Sequence, residues 1–363
     1  MATVDMNRAN RILEALEQLR GDAQLLITDP WSIFYLTGFY ADMLERFSGI
    51  ALRRGEQPII MINELHQLPV FDNAEIRYHR DTDDVAAAIA DALDPARPLG
   101  VEASLRAGVL LPLQARQAAA GCFLADAAVR AARSRKDARE RELMRRSSAA
   151  NDAVMEQARN LIAPGITERA VADQLLGLYR AQGCEDFSFP PIVSFGANAA
   201  DPHHEPDDTR LREGDVVLFD IGGRYQRYCS DMTRTFFWGE PDPEAQRVHE
   251  IVCRANEAAE AMIRPGVRFC DVDRAARAVI EQAGYGAFFT HRLGHSIGLQ
   301  DHEPGDVSTA NTDHVEAGMT FSIEPGIYLP GRFGVRIEDL VLVHEDGVEV
   351  LNSYPHEARR LDA

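Results

Sequence analysis

The chain has 363 residues, and 57 acidic against 38 basic side chains leave a formal charge of −19. That excess argues against nucleic acid or a membrane surface as a partner, because both are anionic and call for a basic face. A hydrophobic share of 45% can fill large cores, and the length exceeds what one core usually holds, so two domains are expected, 1–133 and 134–363. In chain order, Asn10 to Leu19 place Ile12, Leu13, Leu16 and Leu19 on one helical face. AQLLIT and IFYLTGF read as short buried strands, the second ended at Gly38. IALRR and PIIMI read as two more, split by GEQ. TDDVAAAIADAL is a helix with Thr82 or Asp83 as its cap. This first domain is α/β and ends near Ala132. RSRKDARERE then reads as a charged linker running into a long helix that Pro164-Gly165 stops. ITERAVADQLLGLYRAQG is a second helix, between a Thr167 cap and a Gly183 stop. EAQRVHEIVCRANEAAEAMI and VDRAARAVIEQAG are two more. DVVLFDIGG, QRYCSDMTRTFFW, MTFSIEPGIYL and GVRIEDLVLV are rich in strand formers, so the second domain is α+β.

Only one lysine is present, Lys136, and it lies in the charged linker. A Schiff-base or phosphate-loop lysine would have to be that residue, with no glycine-rich loop beside it. The five cysteines are odd in number and lack CxxC spacing, as expected of reduced thiols in a cytoplasmic protein. The first twenty residues have no apolar signal-peptide core, and no apolar run approaches the ~18 residues of a membrane span.

The chemistry is expected in the strand-rich segments. Asp220 ends VVLFD and Asp231 opens DMTRTF, with ten residues between them. A two-residue turn at Tyr225-Gln226 would oppose them directly across a hairpin. Glu324 in SIEPGIY and Glu338 in VRIED repeat the arrangement about Gly331. Carboxylates held that close need a proton or a cation between them. His291, His295 and His302 follow in HRLGHSIGLQDHEPGD. The glycines there disfavour a helix, and Arg292 stands where a helical zinc motif has its glutamate. One imidazole with four carboxylates is a hard, oxygen-rich set, suited to a pair of manganese, cobalt, iron or zinc ions. Gly294-His295-Ser296-Ile297-Gly298 also matches the G-x-S-x-G elbow of serine hydrolases, but LQDHEPGD after it does not read as the helix such an elbow requires.

The ordered set FDIGG, SDMTRTF, HRLGHSIGL, HE, SIEPGIY and GVRIEDLVLV resembles the pita-bread metallopeptidases, which include Xaa-Pro dipeptidase (prolidase) and aminopeptidase P. The likeness covers about residues 134–363, and the first third resembles the creatinase-like N-terminal domain of the prolidase and aminopeptidase P branch. The resemblance implies two divalent metal ions, manganese first among them, held by Asp220, Asp231, His295, Glu324 and Glu338, with Asp231 and Glu338 bridging. It implies catalytic roles for His203, His302 and Glu324. It places His291 at a proline pocket and makes Arg336 an orienting partner of the bridging glutamate, with Thr233 bonding a ligand in the same way. The implied reaction is hydrolysis of the peptide bond before proline in Xaa-Pro dipeptides or short Xaa-Pro peptides, by attack of a metal-bridging hydroxide. The alternative is a metal-dependent hydrolase or lyase on the same fold that acts on a small non-peptide substrate; Asp301 and Asp306 are the departures that keep it open. A short proline-containing peptide as substrate and a homodimer are the implied partners.

Overall fold

A computed structural model describes residues 2–40, 44–357 and 359–361. The chain divides into two compact units, Met1–Arg133 and Ser134–Ala363. No helix among the described residues is long and apolar enough to cross a membrane, and the five cysteines are free.

In the first unit, α1 (Met6–Arg20) is capped by the Asp5 carboxylate and buries Ile12, Leu13 and Leu16. Leu19 departs from expectation and is 49% exposed, because the core runs out one turn before the helix does. Strand β1 (Gln24–Ile27) follows. The segment IFYLTGF is not a strand but most of a helix, α2 (Pro30–Thr37). Asp29 caps the Trp31 and Ser32 amides, Pro30 takes the first turn, and Gly38 ends it in the left-handed region. Those end signals outweigh the strand preference of the aromatic residues. Strands β2 (Ser48–Leu52), β3 (Ile59–Asn63), β4 (Glu75–His79), β5 (Leu99–Val101) and β6 (Cys122–Leu124) complete a mixed sheet, in the order β4-β3-β2-β1-β5-β6. Helix α3 (Val85–Ala90) is capped by Asp84 rather than Thr82 or Asp83, since it is the Asp84 carboxylate that accepts from the Ala87 amide. Helices α4 (Ala107–Ala115) and α5 (Asp126–Ser134) close the unit.

The second unit begins with a correction. Lys136 is not a solvated linker residue. It is 2% exposed, and its Nζ lies 3.0 Å from Glu303 Oε2. Helix α6 (Ala138–Arg159) then starts on a capping box of Asp137 and Glu140, and α7 (Glu168–Ala181) starts on Thr167. After β7 (Asp186–Phe187) and β8 (Ile192–Phe195), strand β9 (Val216–Ile221) runs between β8 and β12 (Met232–Phe237) in an antiparallel sheet. Val217, Phe219 and Ile221 share a core with α6 and α7. Val216 and Leu218 instead join the core built by α8 (Pro243–Glu260), α9 (Phe269–Gln282) and the later strands. Burial on both faces is why VVLFDI reads as an unbroken apolar run. Strand alternation puts Asp220 on the face of Val216 and Leu218.

The turn of the hairpin between β9 and β12 lies one residue later than expected, which shifts the pairing by two residues. Its tip pairs β10 (Gly223–Tyr225) with β11 (Tyr228–Cys229), turning through Gln226 and Arg227 at φ 46 and 73. Both central residues are left-handed, as the primed turns that match strand twist require. Asp220 therefore faces Thr233. Asp231 lies two residues before that partner, a diagonal neighbour of Asp220 rather than its direct opposite.

Strands β13 (Gly294–Ser296), β14 (Glu303–Val307) and β15 (Thr320–Ile323) begin a second sheet. The hairpin β16 (Gly326–Leu329) to β17 (Phe333–Arg336) follows, and β18 (Asp339–His344) and β19 (Gly347–Val350) return to that sheet, ordered β14-β13-β15-β18-β19. The hairpin pairs Gly326 with Arg336 and Leu329 with Phe333. Carried outward, that register sets Glu324 opposite Glu338, as their spacing about Gly331 predicts.

Candidate metal centre

The ends of β9, β12, β13, β15 and β17 converge on a cavity of about 560 Å³ in the second unit. Asp220, Asp231, His295, Glu324 and Glu338 all line it, as do His203, His291, His302 and Arg336. These nine residues thus meet at one place, although they span 136 positions from His203 to Glu338, and Asp301 lines the same cavity whereas Asp306 does not. Phe189, Pro190, Pro191, Ile192, Pro202 and Pro206 supply the apolar part of the wall.

Each acid is oriented by backbone pairing and by a short side-chain relay. Glu338 Oε2 accepts from Thr233 Oγ1 at 2.7 Å, and Thr233 Oγ1 in turn accepts from Arg336 Nε at 3.0 Å. Arg336 donates onward to Asp220 Oδ2 at 2.5 Å and to Tyr328 Oη at 2.8 Å. The resemblance makes Arg336 an orienting partner of the bridging glutamate. It reaches Glu338 only through Thr233, because the Thr233 side chain stands between them, and its direct carboxylate partner is Asp220. Behind this layer, Arg234 is 1% exposed and donates to the Glu338 carbonyl at 2.6 Å and to Asp339 Oδ1 at 2.7 Å, fixing the strand that carries Glu338.

His295 is 3% exposed. Its Nδ1 faces the Ser296 carbonyl at 3.3 Å, which can only accept. The proton therefore sits on Nδ1, and Nε2 presents a lone pair 3.5 Å from both Asp231 Oδ2 and Glu324 Oε1. Burial, helped by His302, lowers its pKa to about 3, so the ring is neutral. A neutral imidazole tied back to a carbonyl is how histidine is held for metal ligation.

The donor set fits cations. Ligand atoms of Asp231, His295 and Glu338 lie within 4.8 Å of one another. The Oδ1 atoms of Asp220 and Asp231 are buried with no hydrogen-bond partner among the described residues. Burial first, and then the neighbouring acids, push Asp231 and Glu338 well above the usual carboxylate range. Glu324 is carried to about 8 by burial and by Asp220, against the pull of Arg336. Acids so arranged call for positive charge among them.

A second group of ligand-type atoms, Glu168, His204 and Asp207, is a structural anchor. The Glu168 carboxylate accepts from the Phe195 and Asp207 amides at 2.7 and 3.1 Å, from Asn198 Nδ2 at 3.0 Å and from His204 Nε2 at 2.7 Å. That pairing engages His204, which also lines the cavity, and leaves His203 exposed on the same wall.

The other histidines divide by their hydrogen bonds. His291 Nδ1 lies 2.7 Å from the Arg292 carbonyl and so carries the proton, while Nε2 lies 2.9 Å from Tyr328 Oη. Both nitrogens are taken, so His291 offers the cavity an imidazole surface rather than a free donor. His302 has Nδ1 at 3.2 Å from an Arg292 nitrogen. Arginine only donates, so Nδ1 accepts and Nε2 bears the proton. Its ring stacks on His295 with centroids 3.9 Å apart. Tyr328 and Arg292 carry this network and were not singled out from sequence. Tyr328 lies within the quoted SIEPGIY, and its two-residue alternation with Gly326, the partner of Arg336, was the available signal.

The elbow motif has a packing explanation. A Cβ on Gly294 would strike the Ser322 carbonyl, and one on Gly298 would crowd Lys136 and Glu303. Ser296 lies on a strand, and bends rather than a helix follow it.

Comparison with known proteins agrees with this architecture. Residues 142–345 match the model of metallopeptidase family M24, and residues 8–135 match the creatinase/prolidase N-terminal domain. An uncharacterized peptidase of Staphylococcus saprophyticus is 38% identical over 96% of this chain and 99% of its own length. The crystal structure of dipeptidase PepE from Mycobacterium ulcerans superposes with a TM-score of 0.91 at 37% identity, covering 99% of this chain and 98% of that one. An Xaa-Pro dipeptidase from Bacillus anthracis gives 0.89 at 27% identity, covering 98% and 99%. The chain therefore belongs to metallopeptidase family M24, a creatinase-type N-terminal domain followed by a pita-bread catalytic domain, and it is a metallopeptidase.

Proposed function

We propose that the protein hydrolyses the peptide bond preceding proline in Xaa-Pro dipeptides or short Xaa-Pro peptides, using two divalent metal ions, manganese first among the candidates. The observation that carries this reading is the convergence of five ligand-type side chains with His203, His291 and His302 in one cavity that also has a proline-rich apolar stretch of wall, Phe189 to Ile192 with Pro202 and Pro206. The Bacillus anthracis relative, named an Xaa-Pro dipeptidase, supports it.

Asp220, Asp231, His295, Glu324 and Glu338 would hold the ions. When bound, such a pair supplies Lewis acidity and a water acidic enough to serve as nucleophile near neutral pH. The chain's own residues do the rest. Ser322 Oγ occupies Glu324 Oε1 at 3.1 Å, leaving Oε2 to take a proton from the attacking water and return it to the departing nitrogen. A proline nitrogen has no hydrogen of its own, so it cannot leave without that proton. The His302 Nε2 proton, fixed by the Arg292 contact, and His203 on the same wall stabilise the oxyanion that develops at the carbonyl. The apolar wall excludes water from the ring side.

A second reading is a metal-dependent hydrolase or lyase for a small non-peptide substrate. It is favoured by Asp301, an acid on the cavity wall whose buried Oδ1 has no partner among the described residues. A panel of Ala-Pro, Ala-Pro-Ala, Ala-Ala and small amides, assayed on chelator-treated and manganese-reconstituted protein, separates the two. Rescuable cleavage confined to the proline peptides is the expected result, and cleavage of the small amides alone would favour the second reading.

A further inference from the structure

We infer that the buried ion pair between Lys136 and Glu303 positions His302, the ring assigned above to the developing oxyanion. This task presupposes that role of His302, and it falls to the chain's only lysine. Lys136 and Glu303 are 2% and 7% exposed, and Lys136 Nζ lies 3.0 Å from Glu303 Oε2. The other carboxylate oxygen, Oε1, accepts from the Leu299 amide at 3.1 Å. One side chain thus ties the residue next to His302 back to the start of the segment that carries it. Lys136 is held in turn through its backbone, whose amide donates to the Gly318 carbonyl at 2.7 Å. Gly298 leaves room for the pair, since a Cβ there would come within 2.8 Å of Lys136 Nζ and 3.0 Å of Glu303 Cδ.

His302 needs such a tie. Its side chain is 60% exposed, so packing alone does not hold it. The ring leans on His295, and Nδ1 meets Arg292, itself a partly exposed side chain. The strand ladder gives little support at this point. Ser296 pairs with Glu303, but the register between β13 and β14 then slips, so that His295 faces Asp306. Residues 298–302 are bends between the two strands. The Glu303 carboxylate is therefore a buried fixed point one residue from the ring. A buried ion pair adds little net stability over an apolar pair of similar volume, because both charges lose their water. What the apolar pair lacks is direction, since a charge-assisted hydrogen bond sets both distance and angle. Direction matters here, because a misplacement of about 1 Å can cost roughly 100-fold in rate. Neither Lys136 nor Glu303 lines the cavity, so their influence on the reaction passes through the segment that carries His302.

The test is a double-mutant cycle on manganese-loaded protein with Ala-Pro as substrate, made of wild type, Lys136→Met, His302→Ala and the two combined. Lys136→Met/Glu303→Leu is measured alongside, because it removes the tie while restoring stability. Lys136→Met should lower kcat about 10–100-fold, with bound metal unchanged and KM altered less than about threefold. In the His302→Ala background the same substitution should alter kcat less than about twofold. The apolar double variant should regain the urea midpoint but not kcat. Wild-type kcat in Lys136→Met, an undiminished fall in the His302→Ala background, or a double variant that regains kcat together with stability would each overturn the positioning role. The His302 ring resonance gives a readout independent of turnover. It is followed in zinc-loaded protein, where the metal is diamagnetic, and identified by its loss in His302→Ala. It should shift in Lys136→Met and in the apolar double variant, and an unmoved resonance in both overturns the role as well. If wild type cleaves no proline peptide yet the resonance shifts, the positioning role stands and the Xaa-Pro reading falls.

Discussion

Without metal, the folded protein should lose stability as the pH rises from about 6.5 to 8, above the range in which the buried neutral His249, His291 and His295 slope the other way. Glu324 shows the sign and the scale. Its side chain is 16% exposed, and burial with Asp220 nearby carries it from 4.5 to about 8. A carboxyl raised in the folded state contributes stability that is fully present below its unfolded value, and it loses that contribution as the pH climbs through the folded one. Over the whole climb from 4.5 to about 8 the shift corresponds to roughly 5 kcal/mol, of which about 2 kcal/mol falls between pH 6.5 and 8. Asp301, raised to about 7 chiefly by burial, slopes the same way. Divalent ions reverse the slope, since they bind the deprotonated acids and compete with protons. The assay is urea unfolding of chelator-treated protein at unit steps of pH, followed by tryptophan fluorescence, with Glu324→Gln and manganese-loaded protein alongside. The midpoint of the stripped protein should fall with pH, Glu324→Gln should flatten that fall, and manganese should invert it. A gain in stability of the stripped protein from pH 6.5 to 8 would show that the acids are already paired without metal.

Other expectations follow from single contacts. Thr233→Val keeps the shape but removes the relay between Arg336 and Glu338; manganese affinity should drop about 10–100-fold by calorimetry, and unchanged affinity would show the relay to be idle. Lys136→Met removes the cation at the Glu303 carboxylate, 4% exposed, which keeps the Leu299 amide. It should cost about 3–5 kcal/mol in urea unfolding, whereas pairing it with Glu303→Leu should recover most of the loss. Glu168→Gln loosens the loop that carries His203 without touching a ligand; kcat/KM should fall about 10–100-fold while metal affinity holds, and a parallel loss of metal would contradict an anchoring role.

The ligand-type acids were legible because each sits at the end of an apolar run, where an unpaired carboxylate is out of place. The Glu324–Glu338 register followed from the symmetry of their spacing about Gly331. The Asp220–Asp231 register did not. Its turn uses Gln226 and Arg227 in left-handed conformations, with no glycine or asparagine to announce them. Helix α2 was hidden by aromatic residues whose strand preference yields to the Asp29-Pro30 start. Lys136 read as solvated among charged neighbours, because its partner Glu303 is 167 positions away in the chain. Arg292 and Tyr328 matter through what they touch across strands, and no local pattern carries that.

Metal dependence of proline-peptide cleavage is the centre of the account, and one titration addresses it most directly. Manganese is added stepwise to chelator-treated protein while bound metal and Ala-Pro hydrolysis are recorded on the same samples, for wild type and Asp231→Asn. Two ions should bind per chain, activity should rise with their binding, and both should be lost in Asp231→Asn. Full hydrolysis by the stripped protein, or undiminished hydrolysis by Asp231→Asn, would contradict it.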